Sequence, residues 1–188
     1  MQDRISPRAI FVFLAALAPA VQALAGQGQT RVPELVIGYH NAQRDCLEKY
    51  AARGAEGRPP VAQIHGRLDG QRRLYGLICN QGAYNVVYRF YVVGKNIKGG
   101  IDLAQFGYPD EKGKWKKMDG LLNAEYSARR KILKSHALGR GLGDCYSSYT
   151  YKWSPKRGIF VLMEYWLDDA CDEKDNARLI YRHRAWRK

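Results

Sequence analysis

The stretch Gly139-Arg140-Gly141-Leu142-Gly143-Asp144-Cys145 lies between two segments that are both predicted to be β-hairpins. Its three glycines alternate with larger residues, and glycine permits positive φ or close approach of the backbone to a neighbouring strand. Cys145 can tie the stretch covalently to an adjacent segment. We therefore expect a joint between two hairpins, in which Asp144 accepts hydrogen bonds from backbone N–H groups of the turn.

The two hairpins that flank this joint are predicted from alternating residues and turn signals. The first pairs 121–126 with 131–138 around Ser127-Ala128-Arg129-Arg130, and the second pairs 147–153 with 159–167. The last of these segments has an apolar residue at every second position, which predicts a central core strand. Its predicted inward face consists of Ile159, Val161, Met163, Tyr165 and Leu167.

Other strands are predicted earlier in the chain and at its C-terminal end. Residues 84–93 are apolar at most positions on both alternating faces, so both faces of this strand should be covered. A strand over 74–79 precedes it across the turn Asn80-Gln81-Gly82. The sequence also predicts a strand over 101–106, an exposed lysine-rich loop over 109–117 and an arginine-bearing edge strand over 178–184.

The fold class predicted from these segments is mainly β, with antiparallel hairpins or a meander that form a sandwich- or barrel-like sheet. One short N-terminal helix is predicted from Asn41 to about Arg53, because apolar residues recur there at three- and four-residue spacing. We expect residues 26–188 to form a single disulfide-stabilised domain. Within it, 26–70 form an arm, the helix and a loop, and 71–188 form the β core.

The first 25 residues have the pattern of a signal peptide. Arg4 and Arg8 precede an apolar run, and Ala23-Leu24-Ala25 forms a small-residue cleavage site. The run is shorter than a membrane-spanning helix requires, so we expect no transmembrane segment after cleavage. The predicted localisation is periplasmic or secreted, with cleavage after Ala25.

Cys46, Cys79, Cys145 and Cys171 are an even number of cysteines in a chain predicted to be exported, where disulfides persist. Four cysteines permit three pairings. We favour Cys145 with Cys171, since they bracket one predicted hairpin, and hence Cys46 with Cys79. Neither Cys-x-x-Cys nor His-x-x-x-His spacing occurs in the sequence, so we expect no metal site and no cofactor.

The chain is strongly basic, with 31 Lys and Arg against 18 Asp and Glu and a formal net charge of +13. In an exported protein this favours an anionic envelope polymer or an acidic protein as partner over intracellular nucleic acid. Basic and aromatic residues are interleaved at 149–156 and 181–186. Such a mixture can stack on sugars or bases while it neutralises phosphates. An exposed cationic edge without a ligand is the alternative.

Three residues are candidates for a chemical site. His136, Asp144 and Glu125 could form an acid–base or ligand cluster if the hairpin and the glycine stretch converge. The alternative is a structural histidine and a turn-forming aspartate. No Gly-x-Ser-x-Gly motif occurs, and the glycine stretch lacks the Gly-Lys-Ser/Thr ending of a phosphate loop.

Two segments together resemble a known family. They are Cys79-Asn80-Gln81-Gly82-Ala83-Tyr84-Asn85 before an aromatic strand, and Leu122-Asn123-Ala124-Glu125-Tyr126 before the glycine stretch. This combination resembles the bacterial exported proteins grouped as domain-of-unknown-function family 1176. The resemblance covers about 74–186, which looks like the C-terminal part of longer members. It implies secretion, a β-rich fold and paired cysteines, and it implies no mechanism.

The function predicted from these features is a non-catalytic binding or envelope-associated module with a cationic surface. In this interpretation no residue is catalytic. One alternative is an envelope-directed hydrolase that uses carboxylates such as Glu125 and Asp144. Another is a proteinaceous inhibitor of a secreted hydrolase, since small disulfide-tied β proteins often serve in that way; this analogy concerns the scaffold alone.

Overall fold

The structure, a computed structural model, describes residues 31–49, 62–94 and 100–186. The elements in chain order are α1 (Glu34–Asn41), β1 (Ile64–Arg67), β2 (Arg72–Gln81), β3 (Val86–Gly94), β4 (Ile101–Leu103), β5 (Phe106–Pro109), β6 (Trp115–Met118), β7 (Gly120–Leu122), β8 (Glu125–Ser127), β9 (Ile132–Leu138), β10 (Tyr146–Ser154), β11 (Ile159–Asp168) and β12 (Arg178–Arg182). The predicted signal peptide lies outside the described residues. No helix in the described ranges has the length and apolar character needed to cross a bilayer.

The strands form two five-stranded sheets and a two-stranded ribbon. The first sheet has the order β1-β2-β3-β4, with β7 also paired to β3, and the second has the order β12-β11-β10-β9-β8. The ribbon consists of β5 and β6, and every strand pair in the three sheets is antiparallel. The prediction of a mainly β fold made of antiparallel hairpins is confirmed. The predicted edge strand is also confirmed, because β12 ends the second sheet.

The main hydrophobic core contains residues from both five-stranded sheets. Phe90 of β3, Phe106 of β5 and Tyr151 of β10 are fully buried in it. The ring of Phe106 lies 5.7 Å from that of Phe90 and 5.1 Å from that of Tyr151, so it connects the two sheets. Aromatic pairs at such distances stabilise a core beyond the area that they bury.

A second core covers the other face of the first sheet. Tyr91 and Val93 of β3 point to this side, where they pack with Val36 and Ile37 of α1. Both faces of β3 are therefore covered, as its sequence predicts. The buried His40 reinforces the contact, since its Nδ1 lies 2.9 Å from the hydroxyl of Tyr91.

The single described helix begins and ends earlier than predicted. It covers Glu34–Asn41, where the carbonyl of Pro33 accepts hydrogen bonds from the N–H groups of Val36 and Ile37. Residues 42–49 are not helical, because their polar groups bind β2 instead: the N–H of Glu48 donates to the carbonyl of Cys79. The rest of the predicted helix lies outside the described residues.

Two segments predicted as loops contain strands, and one predicted strand is divided in two. The loop predicted within 26–70 contains β1, and its residues 50–61 lie outside the described part. The predicted strand 101–106 is divided into β4 and the start of β5, and β6 occupies the end of the predicted loop 109–117. The turn before β6 forms because the carboxylate of Asp110 accepts hydrogen bonds from the N–H groups of Lys112 and Lys114.

The predicted hairpin over 121–138 is only half correct. Strand β8 pairs with β9, but β7 pairs with β3 of the first sheet. The chain changes sheets at Asn123, which has a φ of 43° and whose side-chain oxygen accepts a hydrogen bond from the N–H of Val86. Asparagine tolerates this left-handed conformation better than most residues, which suits the change of direction.

A bulge changes which residues of β11 face inward. Thr150 pairs with Glu164 and Tyr151 pairs with Leu162, so Met163 is an extra residue in the ladder. Phe160 and Leu162 therefore belong to the main core before the bulge, and Tyr165 belongs to it after the bulge. The predicted inward face is wrong for Ile159, which is exposed, and for Val161, which lies on the face opposite the core residues Phe160 and Leu162. The central strand of this sheet is β10, with β11 beside it.

The glycine stretch forms a tight joint between β9 and β10. The N–H of Gly139 donates to the carbonyl of Cys145 at 2.9 Å, and Gly143 has a φ of +74°. Cys145 is bonded to Cys171, and Cys46 is bonded to Cys79. Both predicted disulfides are confirmed. Two disulfides are compatible with an extracellular or periplasmic protein.

Candidate functional site

Asp144, the first predicted site residue, is held by neighbouring groups of the joint. Its carboxylate accepts a two-point contact from the guanidinium of Arg140 and a 2.8 Å hydrogen bond from the N–H of Glu173. The hydrogen bond from Arg140 is the main reason that the pKa of Asp144 is well below its ordinary value. Arg140 also donates to the carbonyl of Cys171 at 2.9 Å. This network ties the joint to the segment after β11.

His136 and Glu125 lie on exposed positions of the second sheet. The ring of His136 is 4.6 Å from that of Tyr146, and Glu125 is opposite Lys134 in the β8–β9 ladder. Within the described ranges, no hydrogen bond or ion pair joins any two of Asp144, His136 and Glu125. No group of three or more His, Cys, Asp or Glu in these ranges is arranged to hold a metal ion.

A groove beside β11 and β12 of the second sheet offers a different kind of site. It consists of two adjoining depressions, of about 430 and 620 Å³, which share Arg157, Val161 and His183. We call it the aromatic–cationic groove. Side chains that face the first depression include Trp115, Lys117 and Tyr181, and side chains that face the second include Lys152, Lys156 and Trp186.

Strand alternation positions the wall formed by β6. Trp115 and Lys117 are two residues apart, so both point into the groove, while Lys116 points away and pairs with Asp110 at 3.3 Å. Lys117 is opposite Gly107 in the ribbon, and a Cβ at Gly107 would meet the Trp115 ring at 3.4 Å. The absence of a side chain at Gly107 leaves the indole room to lie across β5.

The opposite wall comes from β12 and the residue that follows it. Tyr181 and His183 are again two residues apart and line the same depression. The rings of Trp115 and Tyr181 lie 5.3 Å apart at an angle of 82°, which makes an aromatic corner. Trp115 is 54% exposed, so most of its surface is open to a ligand. The floor is aliphatic where Ile159 and Val161 face outward.

The charge of the groove is entirely positive. No Asp or Glu is among the described residues that line the two depressions. Across the described ranges, no ion pair is formed by the four groove cations Lys117, Lys152, Lys156 and Arg157. Several cations elsewhere each contact a carboxylate, among them Arg72, Arg89, Arg140, Arg178 and Arg182. Clustered unpaired cations in a concave surface concentrate positive potential and attract anions.

The structure brings the two basic–aromatic stretches of the sequence together, but their contributions differ. In 149–156 the aromatic residues Tyr149, Tyr151 and Trp153 are buried, so this stretch supplies mainly its cations. The stretch 181–186 supplies Tyr181 and Trp186. Sequence reasoning missed Trp115, which was assigned to a solvated loop. A tryptophan within a lysine-rich segment was the signal that could have identified it.

Comparison with known proteins gives a family and no closer relative. Neither the curated proteins nor the solved structures include a significant match to this chain. The family match extends over residues 8–184, so it includes the N-terminal segment as well as the 74–186 region that carries the resemblance in the sequence. The chain therefore belongs to the family described as "Protein of unknown function (DUF1176)".

Proposed function

We propose that the protein is a non-catalytic binding module that holds an anionic polymer of the cell envelope in the aromatic–cationic groove. The observation that carries the proposal is the combination of four cations without an ion pair and the exposed ring of Trp115 around a groove whose described lining has no carboxylate. A polymer with repeated negative charges gains from several such cations at once. The disulfides and the signal-like N-terminus support a place outside the cytosol.

The test compares two neighbouring lysines on β6. Lys117→Ala removes a cation from the groove, and Lys116→Ala removes an equal charge from the opposite side of the same strand. Retention on a polyanionic resin should weaken steeply with salt, because exposed charges are screened within about 8 Å at physiological ionic strength. We expect Lys117→Ala to elute at clearly lower salt than the wild type and Lys116→Ala to elute close to it.

Two results would contradict the proposal. Retention that does not change with salt would exclude a charge-based interaction. Equal shifts for Lys117→Ala and Lys116→Ala would assign retention to overall charge rather than to the groove. The hydrolase alternative has less support, because its candidate Asp144 is already bound by Arg140 and by the N–H of Glu173.

A further inference from the structure

We infer that the ligand of the aromatic–cationic groove is an anionic glycan, with one sugar ring at the corner of Trp115 and Tyr181 and a negatively charged group beside Arg157. This inference rests on the proposed function and narrows it from any anionic polymer to one chemical class. It needs two adjacent subsites of different character, and the two depressions supply them.

The first depression has the features of a subsite for a saturated ring. Trp115 is 54% exposed, so about half of its surface is available to a ligand. Its ring stands at 82° to that of Tyr181, with aliphatic Ile159 on the floor. A pyranose has C–H groups on its faces and at its edge, so it can contact two perpendicular rings and the floor at once. Gln105 adds an amide that can hydrogen-bond a sugar hydroxyl.

The same corner is less suited to a nucleic acid. Single-stranded nucleic acids bind by stacking successive flat bases on aromatic faces. Rings at right angles can offer one face to a base but cannot offer two parallel faces to it. The thickness of a saturated ring is therefore the better match to this geometry.

The second depression supplies the anion subsite. Lys156 and Arg157 lie on the exposed turn between β10 and β11, and Arg157 faces both depressions. A negative group bound by Arg157 would consequently be on the unit next to the bound ring. Arginine donates two parallel hydrogen bonds to carboxylate, phosphate or sulfate, and no groove carboxylate competes for it.

The size of the groove sets a minimum length for the ligand. Each depression, at about 430 and 620 Å³, falls within the range of single ligand sites. Since they are contiguous, a ligand that occupies both must have at least two units. Affinity should therefore rise from a monosaccharide to a short oligosaccharide and then level off.

Four kinds of probe separate charge from ring recognition in calorimetric titrations of the full chain. Hyaluronan hexasaccharide and hexagalacturonate have both sugar rings and negative charge. Chitohexaose has sugar rings without negative charge, and inorganic polyphosphate has negative charge without sugar rings. A thymidine hexanucleotide has negative charge and flat bases. We expect at least one of the two acidic glycans to bind roughly tenfold more tightly than chitohexaose, polyphosphate and the hexanucleotide, a difference in binding free energy of about 1.4 kcal/mol.

Each other outcome overturns a stated part of the inference. Polyphosphate that binds as tightly as the acidic glycans would remove the ring subsite and leave the proposed function intact. Equal binding of chitohexaose would remove the anion subsite, and equal or tighter binding of the hexanucleotide would assign a nucleic acid ligand. If none of the anionic probes binds, the proposed function fails as well.

A pair of exposed aromatic residues provides the variant test. Trp115→Ala should lower affinity for the preferred acidic glycan about tenfold and leave polyphosphate binding unchanged. Tyr39→Ala is the matched control, because Tyr39 is 52% exposed on α1, outside the groove. Circular dichroism establishes that each variant is folded. An unchanged glycan affinity in folded Trp115→Ala, or an equal loss in Tyr39→Ala, would refute the ring subsite.

Discussion

At the scale of single residues, the joint between β9 and β10 requires a glycine at position 139. A Cβ at Gly139 would lie 2.8 Å from the Sγ of Cys145 and 3.3 Å from its carbonyl oxygen. The sulfur belongs to a disulfide, and the carbonyl oxygen accepts a hydrogen bond from the N–H of Gly139, so neither atom can move freely. The sequence predicts a close approach of the backbone in this glycine stretch, and the structure has it between Gly139 and the Sγ and carbonyl oxygen of Cys145.

Gly139→Ala should therefore destabilise the protein by about 1–3 kcal/mol, the usual cost of overpacking. Gly141→Ala is the control in the same stretch, because the nearest atom to a new Cβ there is the Cδ1 of Tyr84 at an ordinary 3.6 Å. Urea unfolding of the oxidised proteins measures both changes. Equal stability losses in the two variants would show that close packing against Cys145 is not the cause.

Because of the buried His40, the free energy of unfolding should depend on pH. Burial, followed by the charge of Lys49 and Arg89, lowers the pKa of His40 below its ordinary value despite hydrogen bonds from its ring. An unfolded chain takes up a proton at His40 near pH 6.5, whereas the folded chain does so only at lower pH. Stability is therefore fully present above about pH 6.5 and is lost as pH falls below it toward the folded pKa.

We expect His40→Gln to be less stable than the wild type at neutral pH and to lose less stability between about pH 7 and pH 5. Glutamine can still hydrogen-bond to Tyr91 but cannot take up the proton. The measurement is the midpoint of urea unfolding at a series of pH values. Parallel pH profiles for the two proteins would argue against His40 as the titrating group.

At the scale of secondary-structure elements, strands with long alternating patterns were predictable and short ones were not. The sequence of β3 predicts two covered faces, those of β10 and β11 predict a hairpin, and that of β12 predicts an edge strand, because many residues contribute to each pattern. Strands β1, β6 and β7 have three or four residues, too few for alternation to stand out from a loop. β1 and β7 are strands because the longer β2 and β3 offer them a hydrogen-bonding edge, and β6 pairs with the equally short β5.

The bounds of the helix and the presence of the bulge were not predicted, for a related reason. Eight residues of α1 have little periodicity, and the helix is stabilised by packing on the second core. The predicted face of β11 changes at Met163 because of a register shift that depends on its partner β10. For the site, the basic–aromatic composition of two stretches is visible in the sequence, but only the fold shows which of their side chains face outward.

The N-terminal segment provides a prediction at this scale. Residues 31–49 are attached to the first sheet by the Cys46–Cys79 disulfide, by the pairing of Asp45 with the buried Arg89, and by hydrogen bonds between Asn80 and this segment. Replacing both Cys46 and Cys79 with alanine should lower stability by about 2–4 kcal/mol. Hydrogen exchange should increase most in α1 and β2.

The second disulfide supplies the matched control. Replacing Cys145 and Cys171 with alanine should raise exchange in the joint and after β11, because that bond connects these segments, and should leave α1 protected. If both double variants deprotect α1 to the same extent, the Cys46–Cys79 bond has no local role and the protein unfolds as one unit.

At the scale of the whole molecule, charge is distributed unevenly along the β10–β11 hairpin. Lys156 and Arg157 lie at its turn, whereas the opposite end leads into an acidic segment that contains Asp168, Asp169, Asp172, Glu173 and Asp175. An anionic ligand is therefore attracted toward the turn and repelled from the other end. Such asymmetry orients the encounter between two charged molecules.

Lys156→Glu should slow association with an acidic glycan by roughly tenfold at low salt, and the difference should shrink as salt is added. Lys134→Glu, an equal charge change on exposed β9 outside the groove, should have a smaller effect. Surface plasmon resonance at several ionic strengths measures both rate constants. The steering prediction fails if both variants slow association equally or if the effect persists at high salt.

The β5–β6 ribbon has a mechanical consequence for this groove. β5 is anchored to the main core by Phe106 and by a 3.3 Å hydrogen bond from Tyr151 to Gly107, but among the described strands β6, which carries Trp115, forms its ladder with β5 alone. The floor of the groove belongs to a five-stranded sheet. We therefore expect the wall that carries Trp115 to adjust to ligands of different thickness more readily than the floor, since a shift of β6 breaks no ladder hydrogen bond of the five-stranded sheets.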